Sequence, residues 1–202
     1  MISIVDYGVG NVRAIINMLD FIGREAILVS NPAQLLQASK IILPGVGSFD
    51  AAMQNINARD LNQPLRHAVL ELGKPILGVC LGMQLLGSAS EEGTESGLGF
   101  IPAATKRLIP TTSQYKVPHM GWSEVNPHMT CPLFPDSVSG QRFYFAHSYH
   151  VVCSNPSDVV ATAQWGNPIT AVIACGNVYG VQFHPEKSHR YGAALLRHFA
   201  DL

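Results

Sequence analysis

Pro75-Ile-Leu-Gly-Val-Cys80-Leu-Gly-Met-Gln84 joins two kinds of pattern at one cysteine. The apolar run Ile76 to Val79 has the length and composition of a buried strand. Met83, Leu85 and Leu86 follow with helix-like spacing. A cysteine at this junction, with Gly78 and Gly82 two residues to either side, reads as a sharp strand-to-helix turn. Such a turn crowds its flanking backbone, and glycine relieves the crowding because it has no Cβ. The same reasoning accounts for the Gly-x-Ser-x-Gly elbow of other nucleophilic enzymes. The turn lifts the thiol out of the sheet and sets it at a helix N-terminus, where free amides and the helix dipole favour an anion.

Upstream of this turn, strand and helix patterns alternate. Ile2 to Asp6, Ala26 to Val29 and Ile41 to Leu43 read as strands. Val12 to Phe21, Ala51 to Asn57 and Leu65 to Leu72 read as helices, the first with Ile15, Ile16, Leu19 and Ile22 on one face. Glycine-rich turns, Tyr7-Gly-Val-Gly-Asn11 and Pro44-Gly-Val-Gly47, close two of the strands. Repeated βα units predict an α/β fold with a parallel sheet, whose ligands sit at the strand carboxyl ends. The turns at Asp6, Pro44 and Cys80 all fall on that edge.

Downstream the pattern changes. Ala104 to Ile109, Gly121 to Asn126, Arg142 to Ala146, Tyr149 to Cys153, Val159 to Gln164, Thr170 to Ala174 and Asn177 to Phe183 are short strand candidates. Gly166-Asn-Pro168 and Cys175-Gly-Asn177 are turns between them, which suggests antiparallel hairpins. A helix from about Tyr191 to Leu202, with Leu195, Leu196 and Phe199 inward, closes the chain.

Composition narrows the function classes. At 202 residues with no visible linker, one domain is expected, spanning 1–202. The net charge is -1 and 13% of residues are charged, so no basic stripe points to nucleic acid. No apolar run is long enough to span a membrane, no signal peptide is visible and cysteines are few, so a cytoplasmic location is expected. Cys131, Cys153 and Cys175 read as small buried hydrophobes. No Cys-x-x-Cys spacing suggests a metal site, and no cofactor is implied; Gly8 and Gly10 lack the third glycine of a dinucleotide fingerprint.

A thiol nucleophile needs a base, and the base needs an orienting group. Gln182-Phe-His184-Pro-Glu186-Lys offers both. Pro185 keeps His184 extended, and residues two apart in an extended segment project to the same side. Glu186 can then hold one imidazole nitrogen while the other faces Cys80. Oxyanion donors are expected from the Leu81 amide and from Pro44-Gly-Val-Gly-Ser48, at Val46 and Gly47. His119 and His147 stand in unusual proline and aromatic contexts and are secondary candidates. His67, His128, His150, His189 and His198 read as ordinary surface or core residues.

Gly78-Val-Cys-Leu-Gly-Met-Gln84 with His184-Pro-Glu186 resembles the signature of the class I, triad-type glutamine amidotransferases. The resemblance implies their flavodoxin-like three-layer α/β fold, with a largely parallel central sheet and added antiparallel strands in the second half. It implies hydrolysis of glutamine through a glutamyl thioester, with Cys80 as nucleophile, His184 as base and Glu186 as its orienter. Gly47, Gln84, Glu92, Ser148 and Tyr149 fall at glutamine-binding positions. Asp6-Tyr-Gly-Val-Gly-Asn11, Pro118-His-Met-Gly-Trp122 and Phe143-Tyr-Phe-Ala-His-Ser-Tyr149 are similar to the histidine-pathway branch. That branch passes ammonia to a (β/α)8-barrel synthase (cyclase) subunit in a 1:1 heterodimer, which places Asn11, Met120 and Trp122 at the partner interface. Ser123 departs from the Asn expected in that branch, and Lys187-Ser-His-Arg-Tyr-Gly192 also resembles a paralogous branch that amidinates nucleotide-linked or surface-polysaccharide sugars. A non-catalytic regulatory module and a cysteine peptidase are the alternatives from other classes. The intact Cys80, His184, Glu186 set weighs against the first, and Gln84 with the Pro44 loop weighs against the second.

Overall fold

The computed structural model describes residues 1–135 and 140–202. The first half runs β1 (Ile2–Val5), α1 (Val12–Phe21), β2 (Ala26–Val29), α2 (Pro32–Leu36), β3 (Lys40–Leu43), α3 (Phe49–Ala58), α4 (Asn62–Arg66), β4 (Ile76–Val79) and α5 (Leu81–Leu85). The second half adds β5 (Ala89–Ser90), β6 (Ala103–Arg107), β7 (His119–Pro127), β8 (Gln141–His147), β9 (Tyr149–Cys153), β10 (Val159–Trp165), β11 (Asn167–Cys175), β12 (Val178–Val181) and α6 (His189–Asp201).

Nine strands form one sheet in the order β2-β1-β3-β4-β12-β11-β10-β7-β8. β1 through β4 pair in parallel, and β12 joins β4 in parallel with Val79 opposite Val181. From β11 to β8 the pairing is antiparallel. The last strand of the chain is therefore inserted at the centre of the sheet, where the parallel half meets the antiparallel half.

Apolar residues bury both faces, giving three layers. Ile15 and Leu19 of α1 with Leu195, Leu196 and Phe199 of α6 cover one face. Phe49, Ala52, Met53 and Ile56 of α3 with Met83 and Leu85 of α5 cover the other. β1, β4 and β12 are buried along their whole length, which is why they read as continuous apolar runs.

Four features differ from the sequence reading. α2 is a single turn started by Asn31, whose side chain accepts from Gln34 N, and by Pro32 at its first position; it is too short for an apolar period to register. The helical pattern Leu65 to Leu72 is split into α4 and a π-helical turn at His67–Glu71. β5, β6 and β9 leave the main sheet and form a separate three-stranded sheet. The strand expected to run to Phe183 ends at Val181.

Candidate active site

β4 and β12 are neighbours, so the segments that leave their carboxyl ends emerge side by side. Cys80 follows β4, and its N–H still donates to Val181 O of β12 at 2.8 Å. It adopts φ 55 and ψ -110, a left-handed conformation that costs a non-glycine residue about 1–3 kcal/mol. The two flanking glycines are sterically required. A Cβ on Gly78 would lie 2.6 Å from Gly82 O, and one on Gly82 would lie 1.8 Å from Leu43 O.

His184 leaves β12 in extended conformation, φ -100 and ψ 98, as Pro185 demands. Its backbone is held on both sides. His184 N donates to Tyr144 O at 2.9 Å, and the buried Ser188 hydroxyl donates to His184 O at 2.6 Å while accepting from Tyr144 N at 3.0 Å. Glu186 Oε1 lies 2.8 Å from His184 Nδ1, with both side chains almost wholly buried. Burial alone would push the imidazole down. The neighbouring Cys80 sulfur and the hydrogen-bonded Glu186 carboxylate outweigh that and raise its pKa to about 10. The imidazole is therefore favoured in its cationic form near the Cys80 sulfur.

A cavity of about 350 Å³ opens over this pair. Val46 and Gly47 line it from the loop after β3, Cys80, Leu81 and Gln84 from the elbow, and Glu92 from the loop after β5. Pro118 and Met120, Ala146 to Tyr149, and His184 with Lys187 complete the wall. Leu81 is the first residue of α5, so its N–H has no partner within the helix. Gly47 has φ +95, and a Cβ placed there would meet nothing within 4 Å, so its glycine is dictated by conformation rather than by space. The preceding turn is pinned by Tyr7, whose buried hydroxyl donates to Pro44 O at 2.5 Å; burial pushes this phenol up and keeps it a donor.

Glu92 anchors its loop through its carboxylate. Oε2 accepts from Phe49 N at 2.9 Å, capping α3 just beyond the Pro44 to Ser48 loop. Asp50 in turn accepts from Thr94 N and Glu95 N, each at 3.0 Å, and a Cβ on Gly93 would collide with its carboxylate. The loop carrying Glu92 is thus tied to the start of α3.

Met120 borders the cavity, whereas Asn11 and Trp122 do not line it. Met120 is 64% and Trp122 39% exposed on the outward face of β7, and Trp122 stacks on His189. Asn11 is exposed ahead of α1. Among the described residues no group of three His, Cys, Asp or Glu is arranged to hold a metal ion.

Gln182 was not assigned from sequence, and the secondary candidates His119 and His147 are found beside the site. Gln182, fully buried, donates from Nε2 to Cys80 Sγ at 3.8 Å and accepts from Gln84 Nε2 at 3.2 Å. Its spacing of two before His184 in an extended segment was the available signal. His119 and His147 lie 3.1 Å apart between Ser123 and Tyr149 O. Burial lowers their pKa values to about 4 and about 3, so both are neutral.

A buried, oriented Cys–His–Glu set on the strand ends of a three-layer α/β fold, opening on a small cavity, is equipped for nucleophilic attack on a carbonyl. Residues 3–201 match the family described as glutamine amidotransferase class-I, and the chain belongs to that family. A solved structure of PurLQS from Thermotoga maritima has the same fold, with TM-score 0.72 and 21% identity over 99% of this chain and 97% of that one. Two relatives described as imidazole glycerol phosphate synthase subunit HisH 2 are much closer in sequence. One, from Methanococcus maripaludis, is 44% identical over 199 residues, 98% of each chain. The other, from Pseudomonas aeruginosa, is 44% identical over 202 residues, the whole of both chains.

Proposed function

We propose that this chain, as one amidotransferase domain over residues 1–202, is the glutaminase subunit of an imidazole glycerol phosphate synthase. The observation that carries the chemistry is the placement of Cys80 and the His184–Glu186 pair on adjacent strand ends under one cavity. The Cys80 thiolate attacks the side-chain amide carbon of glutamine, and the Leu81 amide with the Val46-Gly47 loop receives the oxyanion. His184 returns its proton to the departing nitrogen, and ammonia leaves. Water then attacks the glutamyl thioester as His184 takes a proton back, which frees glutamate and restores the Cys80 thiolate beside the protonated His184. Glu186 holds the tautomer throughout. Gly47, Gln84, Glu92, Ser148 and Tyr149 line the glutamine site; the Glu92 carboxylate suits an α-ammonium group.

The ammonia goes to a (β/α)8-barrel cyclase subunit in a 1:1 complex in the cytoplasm. The exposed apolar residues Met120 and Trp122, with Asn11, form the docking face, consistent with aromatic anchors at an interface. Among the described residues no helix is long and apolar enough to cross a membrane. Cys80→Ala should abolish ammonia release from glutamine while the chain still co-purifies with its barrel partner. Retained glutaminase turnover in that variant would sink the reading. Ser123 and Lys187 to Gly192 leave a sugar-modifying acceptor as the second reading, and complementation of a histidine auxotroph separates the two.

A further inference from the structure

The buried amide of Gln182 has a forced orientation. Tyr149 O can only accept, so the Gln84 side-chain atom 3.1 Å from it is the NH2 group. The same NH2 lies 3.2 Å from Gln182, which must therefore present its oxygen there. The NH2 of Gln182 is left facing the Cys80 sulfur, at 3.8 Å. Turning the amide over would set two NH2 groups against each other and place an oxygen on the sulfur. No water competes, because Gln182 is 0% exposed.

The other side of Tyr149 O is equally determined. His147 Nδ1–H donates to it at 2.7 Å, so His147 Nε2 accepts from His119 Nδ1–H at 3.1 Å. His119 Nε2 then accepts from the Ser123 hydroxyl at 2.8 Å. His119 and Ser123 share the inward face of β7, opposite the exposed Met120 and Trp122. Every proton from Ser123 to Gln182 has one place to be.

We infer that Gln182 is a further catalytic residue, an amide donor to the Cys80 sulfur, and that the chain through Gln84, Tyr149 O, His147 and His119 to Ser123 keeps it turned that way. This rests on Cys80 being the nucleophile. A donor to sulfur favours the thiolate, and a hydrogen bond to a charged group is the stronger kind. A backbone contact of the sulfur, Ala146 O at 3.9 Å, accepts from the thiol and favours that form instead. Gln182 opposes it.

The test is the rate of Cys80 alkylation by iodoacetamide at neutral pH, read by mass spectrometry on the full chain, with kcat and KM for glutamine. Gln182→Met keeps length and removes the donor. Gln182→Glu keeps the oxygen toward Gln84 and puts a second oxygen on the sulfur. Alkylation and kcat should fall about tenfold in the first and further in the second, with KM within about twofold. Wild-type alkylation in Gln182→Met overturns the inference. Should that variant not fold, Gln84→Met removes the group that orients Gln182; slower alkylation supports the inference, and the wild-type rate overturns it. If wild-type Cys80 reacts no faster than Cys131, Cys153 and Cys175, the nucleophile reading itself has failed. If it reacts fast and Gln182→Met reacts equally fast, only the role of the amide has failed.

Discussion

Replacing Gly82 with alanine tests how far catalysis depends on the close approach of β3 to the elbow. The new Cβ would lie 1.8 Å from Leu43 O and 2.9 Å from its carbon, whereas real Cβ contacts essentially never fall below 3.0 Å. The carbonyl would have to retreat by about 1.2 Å to clear it. It is poorly placed to do so. Leu43 pairs with Gly78 in the parallel register of β3 and β4, and the next carbonyl, Pro44 O, is held by Tyr7. Overpacking of this kind costs about 1–3 kcal/mol. At about 2–4 °C per kcal/mol for a chain of this length, the melting temperature should fall by about 2–12 °C. The functional loss should be steeper. A shift of about 1 Å between the Leu81 amide and the Val46-Gly47 loop separates the proposed oxyanion donors, and misplacement on that scale costs about 100-fold in rate. Thermal melting and steady-state glutaminase kinetics with the barrel partner present measure the two effects. A Gly82→Ala chain that melts and turns over like wild type would refute the steric account of the elbow.

Glu186→Gln should lower kcat by about 10³- to 10⁴-fold with little change in melting, because an amide can present its NH2 to His184 and select the wrong tautomer; a loss under tenfold counts against the orienting role. Asp50→Ala should raise the KM for glutamine several-fold and leave kcat nearly unchanged, since it unties the loop that carries Glu92; an unaltered KM would refute that link. Acid should destabilise the fold through His119 and His147. Their native pKa values, about 4 and about 3, lie below the ordinary 6.5, so the unfolded chain takes protons the native state refuses. Stability is then lost as pH falls from about 6.5 toward 4, by about 1.4 kcal/mol per pH unit for each ring. Chemical denaturation at pH 7 and pH 5 should differ by roughly 2–4 kcal/mol, and identical midpoints would refute it. His184 acts in the other window: raised to about 10, its contribution is complete below the unfolded value and fades as pH climbs through 10.

The elbow was legible because its constraint is local. Gly78 and Gly82 stand where the turn admits no Cβ, and the apolar run before them is buried on both faces. The His184-Pro-Glu186 segment was legible for the same reason, since proline sets the backbone and spacing sets the side. Gln182 was not, because its partners Gln84 and Cys80 are 98 and 102 residues away in sequence. A glutamine at a strand end has no pattern of its own. The His119–His147 pair likewise forms only when β7 and β8 pair, bringing these two residues opposite each other. Two strands of the small second sheet were legible as Ala104 to Ile109 and Tyr149 to Cys153, but β5, only two residues long, left no signal.

Cys80 and His184 hang from strands whose separation is the common inter-strand spacing, about 4.8 Å, a length no side chain sets. Drift in sequence can therefore replace nearly every neighbour without changing how far apart the two reacting groups begin. A fold at 21% identity still overlays on 99% of this chain. Such an arrangement separates inheritance from invention. The strand ends pass on one spacing with the fold, while the outward face of β7, where Met120 and Trp122 stand, is free to be refitted to a new neighbour.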